Sequence, residues 1–233
     1  MKLTKYGWKE WLSASVITAA AITGAVFLAL YVNLTAGITL GILAALFWVT
    51  VAGFFRVPYR NIPKNSELIL SPADGIVRDI ELINDDSLSF FEGQNIVRIG
   101  IFLSVLDVHI NRAPADVNIE YKKYQEGKFL DARNRDALKE NESMIIGGTA
   151  KAGNLTFPLA VKQISGAIAR RIVCPVKISS SLRKGEIYGM IKFGSRTELY
   201  LPADKNIEVN IKVGERVFAG VTAMAKVKTN QDK

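Results

Sequence analysis

The feature that most limits this chain is a run of 45 residues, Trp11 to Phe55, with no Asp, Glu, Lys or Arg. One membrane-crossing helix needs about 20 apolar residues, so the run is too long for a single span and suits two helices joined by a turn. Within "YVNLTAGIT", Asn33, Thr35 and Gly37 are the least membrane-like residues and are expected to form that turn. A secretory signal, whose apolar core is about 7 to 15 residues, does not account for a run of this length. Lys2, Lys5 and Lys9 precede it, and Arg56, Arg60 and Lys64 follow it. The positive-inside tendency then puts both flanks, and the remainder of the chain, at the cytoplasmic face of the cell membrane. An anchoring two-helix hairpin over residues 1–60 and a second domain over 61–233 are expected.

Beyond "RVPYRNIPKN", whose two prolines read as a linker, the pattern changes to short Val-, Ile- and Phe-rich runs separated by turn residues. Examples are "LILSPADGIVRDIEL", "NIVRIGIFLSVLDVHI", "LAVKQISGAIARRIV" and "NIEVNIKVGERVFAGVTAMAKV". Their spacing predicts a mainly β, barrel-sandwich-like domain with a little helix. "SSLRKGEIYGMI" and "NIKVGERVFAGVTAM" each put a Gly-Glu turn between apolar strands, as a barrel built from related halves would. Residues 122–142 differ, with 11 charged residues in 21, and read as a solvated loop or short helix.

The net charge of +8 favours anionic lipid over nucleic acid, because the basic residues are scattered and no aromatic-rich nucleic-acid motif accompanies them. Cys174 is the one cysteine, which excludes an internal disulfide, agrees with a reducing compartment and predicts a free, buried thiol. With one His and one Cys there is no cluster of the kind that holds a transition metal, and no metal is expected.

The stretch "GMIKFGSRTELYLP" is a strand interrupted by Gly194 and Ser195. Such a pair reads either as a β-bulge or as chemistry. A serine hydroxyl attacks only when a positioned base takes its proton. His109 is the single imidazole, and an aspartate can hold it in the right tautomer and stabilise its charged form. Two compete for that role. Asp107 is two residues from His109, hence on the same face of a strand, while Asp74 lies in "SPADGIV", where Asp-Gly is also ordinary turn chemistry.

The ordered set "SPADGIV", "IFLSVLDVHINRAP", "GKFLDA", "ENES", "ISGAIARRIVCPVKI" and "KGEIYGMIKFGSRTELYLP", running from about Pro63 to Ala225, resembles the short, pyruvoyl-dependent phosphatidylserine decarboxylases. It departs from them where Ser143 ends "ENES" in place of an arginine, and where "PADVNIEYKKYQEGKF" lacks a turn glycine. The resemblance implies self-cleavage between Gly194 and Ser195, into a β-chain of residues 1–194 and an α-chain of residues 195–233 that stay associated. It implies that Ser195 becomes a covalent pyruvoyl cofactor, which forms a Schiff base with phosphatidylserine and yields phosphatidylethanolamine. It also implies Asp74 as the partner of His109, with Asp107 as the fallback.

Archaetidylserine, with the same headgroup, remains an alternative substrate. A membrane-anchored adaptor or carrier also remains, although "TAMAKV" misplaces Lys226 for a biotinyl or lipoyl domain. Arg56, Arg60, Arg112, Arg170 and Arg171 are candidate phosphate contacts. A homo-oligomer is a further candidate assembly.

Overall fold

A computed structural model describes residues 2–85, 88–130, 140–166, 171–192 and 195–228. Gly194 and Arg170 lie outside these described residues. The chain divides into two compact units, Met1–Tyr59 and Arg60–Lys233.

In the first unit, strand β1 (Lys2–Leu3) leads into helix α1 (Trp8–Tyr31), helix α2 (Leu34–Phe54) and strand β2 (Arg56–Val57), which pairs back onto β1. Both helices are long and apolar enough to cross a membrane, with mean hydropathies of 2.0 and 2.1. Asn33 forms the break, and its side-chain oxygen accepts the Ala36 N–H at 3.0 Å as an N-cap. Thr35 and Gly37, expected in the turn, instead form the first turn of α2. Gly37 is buried, and a Cβ there would overlap Ala25 and Ala29 of α1. It serves close helix packing rather than chain reversal. The Trp48 indole N–H donates to Ser15 Oγ at 2.9 Å, a polar tie between the two helices.

The second unit is built from strands. They run β3 (Leu68–Leu70), β4 (Gly75–Ile83), β5 (Ile96–Leu103), β6 (Ile110–Arg112) and β7 (Asp116–Gln125). Next come β8 (Ser143–Ala152), β9 (Leu155–Ile164), β10 (Arg171–Val173), β11 (Ser181–Leu182) and β12 (Ile187–Lys192). The last are β13 (Ser195–Pro202), β14 (Ile207–Val209), β15 (Arg216–Val217) and β16 (Ala223–Val227).

Eight of them form one antiparallel sheet in the order β11-β7-β8-β9-β13-β5-β4-β15, and two three-stranded sheets, β10-β12-β6 and β14-β16-β3, accompany it. Ile69, Tyr188 and Met224 of the small sheets share one buried cluster with Val77, Ile101, Leu103, Val161, Leu199 and Leu201 of the large one. The small sheets therefore cover one face of the large sheet, a sandwich-like arrangement of open sheets rather than a closed barrel. Cys174 is a free thiol at the edge of this core, and burial raises its pKa.

Two local expectations have definite outcomes. Both Gly-Glu elements are tight turns, closed by hydrogen bonds from Glu186 N to Arg183 O at 2.9 Å and from Glu215 N to Lys212 O at 3.2 Å. The charged segment is a correction, because Lys122–Gln125 continue β7 in register with β8. Their side chains are exposed or half-buried, and strand pairing uses only the backbone, so charge does not end the strand. Residues 131–139 of that segment lie outside the described residues.

Candidate active site

Ser195 is the first residue of β13 and is fully buried. Alternation along β13 puts Ser195 and Thr197 on the same side as Leu199 and Leu201, which belong to the main core. A hydroxyl in this position requires a polar partner, yet Ser195 Oγ has none among the described residues.

The chain reaches Ser195 by leaving one sheet for another. β12 belongs to a three-stranded sheet and is held to β6 at Met190 and Ile110, while β13 belongs to the eight-stranded sheet and is held to β5 at Ser195 and Leu103. The loop from β5 to β6, residues 104–109, is strung between the same two pairings. Its last residue is His109, whose carbonyl accepts the Ile191 N–H at 3.2 Å. Two independent strand pairings thus bring the loop that ends at His109 alongside β12, the strand that precedes Ser195 in the chain.

His109 is fully buried, with Nδ1 at 3.0 Å from the backbone carbonyl oxygen of Asp107. A carbonyl only accepts, so Nδ1 donates to it and carries a proton. The Asp107 side chain has a different task. Its Oδ2 accepts the Ser104 N–H at 2.8 Å and its Oδ1 accepts from Arg216 Nη1 at 2.7 Å, which staples the loop. Burial works to raise its pKa, but the bonds from Arg216 and Ser104 prevail and hold it below the ordinary value of 3.8.

Asp74 shows the opposite balance. Its Oδ2 accepts from Arg60 Nη2 at 2.6 Å and its Oδ1 accepts the Ala219 N–H at 2.8 Å. Burial outweighs both bonds, the Asp107 charge adds to it, and the pKa is raised above 3.8. Two neighbouring carboxylates whose pKa values are driven apart can take different roles. Arg60, a phosphate candidate from sequence, holds Asp74. Arg112 donates to the Gly185 carbonyl at 2.8 Å, Arg56 donates to the Gly53 carbonyl at 2.5 Å, and Arg171 is exposed on β10.

A buried polar knot went unnoticed in the sequence. Asn111 Nδ2 donates to Thr197 Oγ1 at 3.1 Å and to the Pro72 carbonyl at 3.4 Å, and its Oδ1 accepts from Gln163 Nε2 at 2.8 Å. One amide thereby links the strand after Ser195, the strand after His109 and the turn that leads to Asp74. Asn111 and Thr197 each stand two residues beyond a candidate catalytic residue, and same-face alternation was the one available signal for them.

A family model described as phosphatidylserine decarboxylase matches residues 48–225. The chain belongs to the phosphatidylserine decarboxylase family. Among relatives named phosphatidylserine decarboxylase proenzyme, that of Carboxydothermus hydrogenoformans is 45% identical over 81% of this chain and 85% of its own length. Those of Wolbachia pipientis and Rhodopirellula baltica are 42% and 37% identical, over 75% and 81% of this chain and 74% and 81% of their own lengths. In this phosphatidylserine decarboxylase family member, no group of three or more His, Cys, Asp and Glu suited to a metal occurs among the described residues. The two apolar helices are compatible with membrane anchoring.

Proposed function

We propose that the chain is a self-processing phosphatidylserine decarboxylase, and that Ser195, His109 and Asp74 carry out its maturation. The observation that carries this reading is the buried Ser195 Oγ, which has no partner among the described residues, at the start of β13, together with the pairing of β12 beside His109. His109 Nε2 takes the hydroxyl proton, and Oγ attacks the Gly194 carbonyl. The peptide C–N bond breaks as the ester C–O bond forms, with the proton delivered to the Ser195 nitrogen. Loss of the Ser195 α-proton then breaks the Cβ–Oγ bond, which frees Gly194 as a carboxylate and leaves dehydroalanine. Water hydrolyses this to a pyruvoyl end and ammonia. Asp74, ionised, stabilises the imidazolium.

The residues fit such a group, because Ser195 supplies all three of its carbons and the site is dry enough to protect a ketone. When formed, the ketone condenses with the substrate amine and accepts the electrons released with CO₂. His109 then returns a proton to the substrate carbon. The substrate is phosphatidylserine, as in the names of the relatives, reached from the cytoplasmic face by a domain tethered through residues 1–60.

Denaturing mass spectrometry of purified protein tests this. Two chains, 1–194 and 195–233, with the second lacking a free amino terminus and reactive toward hydrazine, are the expected result. A single intact chain after prolonged incubation, with decarboxylation still present, overturns it.

A further inference from the structure

The loop that carries His109 also carries the most exposed large apolar side chain described in the second unit. Leu106 is 84% exposed and its neighbour Val105 is 45% exposed. The next residue, Asp107, is buried and ion-paired to Arg216. Two further exposed apolar residues flank that arginine, Val213 at 59% and Phe218 at 40%. All four therefore lie within three residues, along the chain, of the one ion pair that joins their two segments.

Its surround is basic. Lys212, Arg216 and Arg78 are exposed, and the Arg78 guanidinium lies 5.3 Å from the centre of the Phe102 ring, two residues before the loop begins. Arg60 stacks over Phe218 at 5.4 Å. The acids in contact with these cations, Asp107 and Asp74, are buried beneath their arginines, which leaves Glu215 as the exposed acid of the 212–218 stretch. Aliphatic and aromatic tips ringed by arginine and lysine match the layered chemistry of a bilayer surface, apolar below and anionic above.

We propose that this patch, formed by residues 105–106, 212–213 and 218, docks the catalytic domain onto an anionic bilayer. The proposal deepens the reading above and rests on it for the substrate. Insertion of Val105 and Leu106 loads the loop Ser104–His109, whose Asp107 carbonyl holds the imidazole. The patch thus brings the loop of His109 to the membrane through contacts of the second unit's own.

The test uses the full chain reconstituted in vesicles. Leu106→Cys is labelled with an environment-sensitive fluorophore, since Cys174 is buried and its thiol pKa is raised. Leu82→Cys, 65% exposed on β4 where it pairs with Val97 at the far end of the strand, is the control. In phosphatidylcholine vesicles containing phosphatidylglycerol, an anionic lipid that is not the substrate, the label at 106 shifts to the blue and is quenched by brominated acyl chains. The label at 82 does neither. Leu106→Ser then lowers decarboxylation of phosphatidylserine in vesicles by about tenfold more than decarboxylation of monomeric short-chain phosphatidylserine.

Identical behaviour of the two labels, insensitivity to anionic lipid, or a shift that follows protein concentration instead of lipid overturns the docking surface. A label that inserts in a protein that neither processes nor decarboxylates overturns the functional reading and leaves docking supported.

Discussion

Arg196 meets Asp79 through two parallel hydrogen bonds, Nη1 to Oδ2 at 2.7 Å and Nη2 to Oδ1 at 2.6 Å, while its Nε donates to Glu198 at 2.9 Å. Cleavage before Ser195 would make Arg196 the second residue of the α-chain and leave Asp79 in the β-chain. The pair is then a tie across the cut, one residue from the new end. Any Cβ at Gly100 would overlap the guanidinium, so the neighbouring strand is shaped around it. Removing one partner of a fully buried pair costs about 3–5 kcal/mol. Asp79 is 24% exposed and Glu198 remains, so Asp79→Ala is expected to cost about 2–3 kcal/mol. Urea titration of the processed protein, followed by release of the α-chain, measures it.

His109→Ala is expected to leave the precursor unprocessed, since general-base help is worth about 10²- to 10⁴-fold. A time course by gel electrophoresis reads the fraction cleaved, and cleavage at the normal rate would remove His109 from maturation. Ser195→Ala is expected to give a single chain with no decarboxylation.

The two aspartates are separable by pH. Protonated Asp74 cannot stabilise an imidazolium, so processing is expected to slow as the pH falls through its raised pKa, and Asp74→Asn removes that acid limb along with most of the rate. Asp107→Asn keeps the backbone carbonyl that holds Nδ1 and is expected to slow processing far less than Asp74→Asn. For stability the signs oppose. The contribution of ionised Asp107 is complete above 3.8 and is lost as the pH falls through its lower folded pKa. Asp74 favours the fold when protonated, so its contribution fades as the pH rises from 3.8 through its higher folded value.

Asn111→Ala strands Gln163 Nε2 and Thr197 Oγ1 in the core, each unpaired group costing about 1–3 kcal/mol. A lowered melting temperature together with slower cleavage is expected. Full-rate cleavage at a temperature where the variant is folded would show that the knot supports the fold alone.

The N-terminal hairpin was legible because its signal is local: one charge-free run sets the helix pair, and Asn33 caps the second helix where the turn was expected. Gly37 was misread since glycine marks both turns and close helix contacts, and only the position of α1 distinguishes them. The β character of the remainder was legible from its alternating runs. Lys122–Gln125 were not, because a strand edge facing solvent and a solvated loop have the same composition.

Ser195, His109, Asp74 and Asp107 could be named as candidates from residue chemistry and ordered motifs, since hydroxyl, imidazole and carboxylate are properties of residue types. What holds His109 is the carbonyl of Asp107, a backbone atom every residue possesses and no sequence pattern marks. The placement of β13 between β9 and β5, the change of sheet between Lys192 and Ser195, and the tie from Arg196 to Asp79 join positions dozens of residues apart. The amino-acid order determined which reactive groups the chain owns and where a membrane span can form. Packing decided which atoms of those groups meet, because long-range pairing depends on all the strands at once.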